Sequence, residues 1–130
     1  MSLKDEQFPA SAAFDWIASA LSGSDAERKD AIKKGNAIFA FTLKNSSGAQ
    51  ESWYIDLKKT GTVGRGTAPP DGSKSDVTLV LAEKDFEGLI NGKANAQKLF
   101  MSGKLKVRGD VMKATKVEPV LKKVQSKAKL

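Results

Sequence analysis

Residues 8–23 read FPASAAFDWIASALSG. Phe14, Ile17 and Leu21 recur at helical spacing, with Ala13, Trp16 and Ala20 widening that face, so a first helix is expected that stops at Gly23. A second opens on "SDAE", residues 24–27, where Ser24 can accept from a free backbone N–H and Glu27 can reach back, and Gly35 is expected to end it. The period then changes to two. Phe39, Phe41 and Leu43 share one face, and after "NSSG" so do Trp53, Ile55 and Leu57, a pattern that predicts a hairpin. A short strand over residues 62–65, the turn-rich "GTAPPDGSKS" and a strand over residues 76–81 follow.

The second half returns to a helical period. "AEKDFEGLINGK" sets Phe86, Leu89 and Ile90 on one stripe, and "NAQKLFMSG" adds a shorter helical turn with Leu99, Phe100 and Met101. In residues 104–108, Leu105 and Val107 point one way while Lys104, Lys106 and Arg108 point the other, the signature of a strand with one dry and one wet face. Asp110 fits a helix N-cap, and Pro119 interrupts the segment beyond it. Helices at both ends of about five strands, with hairpin connections, predict an α+β fold: a mainly antiparallel sheet with helices over one face.

Composition narrows the chemistry. At 130 residues the chain is expected to form one domain, and 40% apolar residues suffice for a core. It contains neither His nor Cys, which removes the commonest general base, the usual zinc ligands, the thiol nucleophile and every disulfide. No nucleophile elbow, dinucleotide fingerprint or EF-hand spacing occurs, and "GTVGRG" lacks the Lys-Ser/Thr of a phosphate loop. Neither a cofactor nor a metal is expected. No apolar run approaches the ~20 residues of a membrane helix, and the N-terminus lacks a signal-peptide core, so secretion by that route is not expected.

Charge adds a possible partner class. Twenty-two basic residues face 15 acidic ones, a net of +7. Such a balance suits an anionic partner. Only Arg28, Arg65 and Arg108 are arginines, and the basic residues mostly alternate with aliphatic rather than aromatic ones, which argues against nucleic acid. A solvated surface, or attraction to anionic membranes, accounts for the lysines.

Residues 75–110, SDVTLVLAEKDFEGLINGKANAQKLFMSGKLKVRGD, carry a resemblance. The order of "DVTLVL", the acidic helix with "DF", "GK", "QK" and the F-M-x-G-K-L-K-V-x-G run is similar to the C-terminal half of the sterol carrier protein 2 family, the non-specific lipid-transfer proteins. The amphipathic start, the hairpin and the terminal "PVLKK" extend the likeness over nearly the whole chain. Two departures stand out: Ala96 replaces a common proline, and "VMKATKV" lacks the usual glycine after the methionine.

The resemblance implies a five-stranded sheet whose helices enclose an apolar tunnel for a long-chain fatty acid, fatty acyl-CoA, phospholipid or sterol, with no covalent chemistry. Burying some sixteen carbons at ~0.8 kcal/mol each is worth ~12 kcal/mol gross, against association costs of ~4–15 kcal/mol, a range compatible with reversible carriage. Expected ligand-facing residues are Ile17, Leu21, Phe86, Leu89, Ile90 and Leu99. Phe100, Met101, Met112, Val117, Leu121 and Val124 complete the set. Each serves equally well as ordinary core. Lys93, Lys98, Lys104, Lys106 and Arg108 are candidates for membrane-headgroup or CoA-phosphate contact, or simply the solvated side of an edge strand. A monomer is expected. Two other classes stand beside the carrier: a basic nucleic-acid module, and a carboxylate-dependent acyl-CoA enzyme using Asp85 or Glu87.

The final tripeptide, Ala128, Lys129 and Leu130, is a conservative variant of Ser-Lys-Leu. It predicts recognition by the peroxisomal import receptor and a peroxisomal address, leaving residues 1–127 as the lipid-binding domain.

Overall fold

The computed structural model describes Phe8 and residues 12–67, 74–91, 93–114 and 116. In chain order the elements are α1 (Ala12–Ser22), α2 (Asp25–Gly35), β1 (Ala37–Lys44), β2 (Gln50–Leu57), β3 (Thr62–Arg65), β4 (Val77–Ala82), α3 (Glu83–Asn91), α4 (Ala96–Met101), β5 (Leu105–Gly109) and α5 (Val111–Ala114).

The capping signal at the start of α2 acts locally. The Ser24 hydroxyl accepts from the Glu27 N–H at 3.4 Å and caps α2. At the other end Gly35 remains helical, and Asn36 takes the left-handed turn at φ 44°, a conformation that its short polar side chain tolerates. Gly35 is small for a different reason from the one its position suggests: a Cβ there would meet the Leu57 side chain at 2.9 Å, so its absence lets α2 lie against β2.

The strands form one sheet in the order β3-β2-β1-β4-β5. Three pairings are antiparallel, while β1 and β4 run parallel. The register aligns the apolar alternation across the sheet: Phe41 lies opposite Trp53 on one side and Leu79 on the other, and Leu79 faces Val107. These residues occupy one face, against which the helices pack. At its centre Phe14 stacks on both Trp53 and Phe86 at 5.0 Å and meets Phe41 edge-on at 5.7 Å.

Trp16 departs from the sequence expectation. Its side chain is 48% exposed, because the buried stripe of α1 is the narrow Phe14, Ile17 and Leu21 line and a residue next to Ile17 is turned ~100° from it. The opposite sheet face buries Ile38, Ala40, Tyr54 and Asp56. Asp56 is satisfied there by the Lys58 and Lys59 N–H groups at 2.9 and 3.0 Å and by the Thr60 hydroxyl at 3.0 Å, an Asx-type turn between β2 and β3.

Candidate functional site

The β5 edge and the two helices beside it build a cavity of about 470 Å³. The Asn95 side chain accepts from the Lys98 N–H at 3.2 Å and starts α4, whose Ala96, Gln97, Phe100 and Met101 line the cavity while Leu99 is buried in the core. The Lys104 N–H returns to the Leu99 carbonyl at 2.9 Å, which closes the end of α4 and turns the chain into β5. Strand alternation then presents Leu105 and Val107 to the cavity and Lys106 and Arg108 to the other side. Leu79 of the neighbouring strand also lines the cavity, and Val111 and Ala114 of α5 complete its described lining.

The short α5 is held in place by Asp110 and Asp76. Asp110 accepts from the Lys113 N–H at 3.2 Å, the N-cap that the sequence predicts. Asp76 reaches further: its carboxylate accepts from the Ile38 N–H at 2.9 Å and pairs with Lys113 at 3.5 Å and Lys58 at 3.8 Å. Partial burial pushes this carboxyl up, but the Ile38 N–H and the two lysines outweigh it and hold it below the usual carboxylate value. Lys113 stands directly after Met112, where the family resemblance leads one to expect glycine, and Ala96, the other departure, lies on the cavity wall.

Gln97 is the single polar side chain among the nine described lining residues. The wall is otherwise hydrocarbon, aromatic and thioether, chemistry that can hold an apolar chain but supplies no nucleophile or base. On the solvent side Phe100 and Met101 are 48% and 78% exposed, so the cavity opens there.

Of the residues singled out by sequence, Phe100 and Met101 lie on this wall. Ile17, Leu21, Phe86, Leu89, Ile90 and Leu99 sit in the packed core cluster, and Met112 is exposed on α5. Lys93, Lys98, Lys104, Lys106 and Arg108 are all exposed. Val117, Leu121, Val124 and the tripeptide Ala128, Lys129 and Leu130 lie outside the described residues. Asp85 and Glu87 are on α3 and do not line the cavity. Sequence reasoning missed Leu79, Ala96, Gln97, Leu105, Val107, Val111 and Ala114 as lining. The sequence carries no local signal for them, because small apolar positions such as Ala96 and Ala114 serve a packed core equally well.

A five-stranded sheet with helices on one face and an apolar, solvent-open cavity along its edge defines a binding domain for hydrophobic ligands. The chain belongs to the SCP-2 sterol transfer family, whose model matches residues 17–122. It is 51% identical over 128 residues to a fatty acid-binding protein of Yarrowia lipolytica, covering 97% of this chain and 98% of that one. It is 45% identical to the oleate-induced peroxisomal protein POX18 of Candida maltosa over the full length of both. Among solved structures, the apo form of sterol carrier protein 2 from Yarrowia lipolytica superposes with a TM-score of 0.89 at 49% identity, covering 96% of this chain and 98% of that chain.

Proposed function

We propose that this protein is a reversible carrier of long-chain acyl lipids, fatty acids and their CoA esters first, which moves its cargo between membranes or enzymes of the peroxisome. The observation that carries this reading is the apolar cavity of about 470 Å³ between α4, β5 and α5, inside the ~300–1,000 Å³ range of small-ligand pockets. Its wall rewards burial of methylenes at ~0.8 kcal/mol each and has little with which to distinguish one hydrocarbon from another, so sterols and phospholipids are secondary ligands of the same cavity. The names of the two fungal relatives, one fatty acid-binding and the other oleate-induced and peroxisomal, support the ligand class and the address. Ala128, Lys129 and Leu130 serve as the import tripeptide in this reading.

The decisive experiment is titration of delipidated protein with a fluorescent long-chain fatty acid, followed by displacement with palmitoyl-CoA, unlabelled fatty acid and cholesterol. Saturation near one ligand per chain with displacement is expected. Absence of saturable uptake by folded protein would refute the carrier reading.

A further inference from the structure

Met101 faces two ways. As the last residue of α4 it lines the cavity, yet its side chain is 78% exposed, so a single thioether borders both the ligand space and the solvent. The usual role of a core methionine, filling an irregular gap, does not account for a side chain this open. A thioether in that position is accessible to small oxidants. The chain has no cysteine, so no thiol competes for them and methionine sulfur is the readily oxidised group that remains.

Oxidation there changes the wall where it touches the ligand. Gln97 is the single polar side chain among the nine described lining residues, and it stands four residues before Met101, one turn back on the same helix. Side chains at that spacing are neighbours, about 5–6 Å apart between Cβ atoms. A sulfoxide oxygen at Met101 is a strong acceptor, and the Gln97 amide N–H can donate to it. The pair would replace a stretch of apolar wall with a hydrogen-bonded dipole, which an acyl chain can cover only at the cost of desolvating it.

We propose that Met101 is a peroxide-responsive modification site whose conversion to the sulfoxide weakens the hold of the cavity on acyl chains. The sulfur lone pair attacks one oxygen of hydrogen peroxide: the S–O bond forms as the O–O bond breaks, and the departing hydroxide takes the proton of the transferred oxygen to become water. Sulfur gives up two electrons and the peroxide accepts them. Reduction of the sulfoxide by a dithiol, catalysed by methionine sulfoxide reductases, restores the thioether, so the change is reversible. The inference deepens the carrier reading and rests on it.

Met112 supplies the internal control. It is exposed to the same 78% on α5 but is not among the described lining residues, so it is open to the oxidant without bordering the ligand space. Full-length delipidated protein is treated with hydrogen peroxide, the oxidised residues are located by peptide mass spectrometry, and a fluorescent fatty acid is titrated before and after. Both methionines are expected to gain one oxygen, and affinity to fall by about threefold or more. Met112→Leu is expected to show the same fall. Met101→Leu, a swap that conserves volume, is expected to bind as the untreated protein does and to keep its affinity after peroxide. The two reductases, one for each sulfoxide epimer, with a dithiol are expected to restore the affinity of the oxidised protein.

Absence of uptake before any peroxide is added would refute the carrier reading and this inference with it. Normal uptake that peroxide leaves unchanged, a loss that persists in Met101→Leu or disappears in Met112→Leu, failure of Met101 to take up oxygen, or a loss accompanied by unfolding in circular dichroism would each overturn the inference alone.

Discussion

The Asp76 carboxylate and the Lys113 ammonium meet at 3.5 Å, tying the start of β4 to α5. Because the same carboxylate also accepts the Ile38 N–H, one side chain links the centre of the sheet to the cavity wall. A group held below its ordinary pKa stabilises the folded state above its unfolded value and loses that contribution as pH falls through the folded one. Asp76→Asn is therefore expected to cost about 1–3 kcal/mol at neutral pH and to flatten the loss of stability between about pH 5 and pH 3. Urea denaturation across that pH range reads both effects.

Gly109 sits at the junction that this pair secures. Its φ is 98°, and a Cβ would stand 2.5 Å from the Asp76 carbonyl oxygen, the acceptor of the Asp110 N–H. Gly109→Ala is expected to destabilise by about 1–3 kcal/mol. Gly48→Ala, also at positive φ but in open space, is expected to cost less in the same denaturation assay.

Filling the cavity separates binding from folding. Ala114 lines it and is half-buried, so Ala114→Trp places a large ring in existing space. Affinity for a fluorescent fatty acid should fall by about tenfold or more, with the melting temperature little changed. Unaltered affinity would place the ligand elsewhere.

Phe86 provides the opposite case. It is fully buried, stacked on Phe14 at 5.0 Å and tilted against Phe41 at 5.5 Å. Phe86→Ala is expected to cost about 3–5 kcal/mol, with ligand affinity per folded molecule falling no more than about threefold. A larger loss, measured where the variant is folded, would assign Phe86 to the ligand wall as well.

Removal of residues 128–130 is expected to leave fatty acid binding unchanged and to abolish peroxisomal import of a fluorescent fusion. Import of the truncated protein would refute the tripeptide reading.

Much of the scaffold was legible because local rules agree with the tertiary environment. The alternation of Phe39, Phe41 and Leu43 against Trp53, Ile55 and Leu57 identified the dry face, and Leu105 and Val107 against Lys106 and Arg108 identified a strand that does lie at the sheet edge. Alternation specifies a face but not a neighbour, so the parallel β1–β4 pairing could not be read from it. The burial of Ile38, Ala40 and Tyr54 on the second face was missed for the same reason. The cavity was least legible. A stripe such as Leu89 and Ile90 looks the same whether it faces packed side chains or a void, and Ala96 and Ala114 become wall residues only through the meeting of α4, β5 and α5.

That placement has a dynamic consequence. The aromatic stack belongs to α1, β1, β2 and α3, whereas the cavity hangs on β5, an edge strand that among the described residues has a hydrogen-bonded neighbour on only one side. Fraying of that margin breaks a single ladder and leaves the interior ring contacts intact. The chain thereby assigns endurance to one flank and breathing to the other, so a wall can loosen for a passenger while the scaffold keeps its shape.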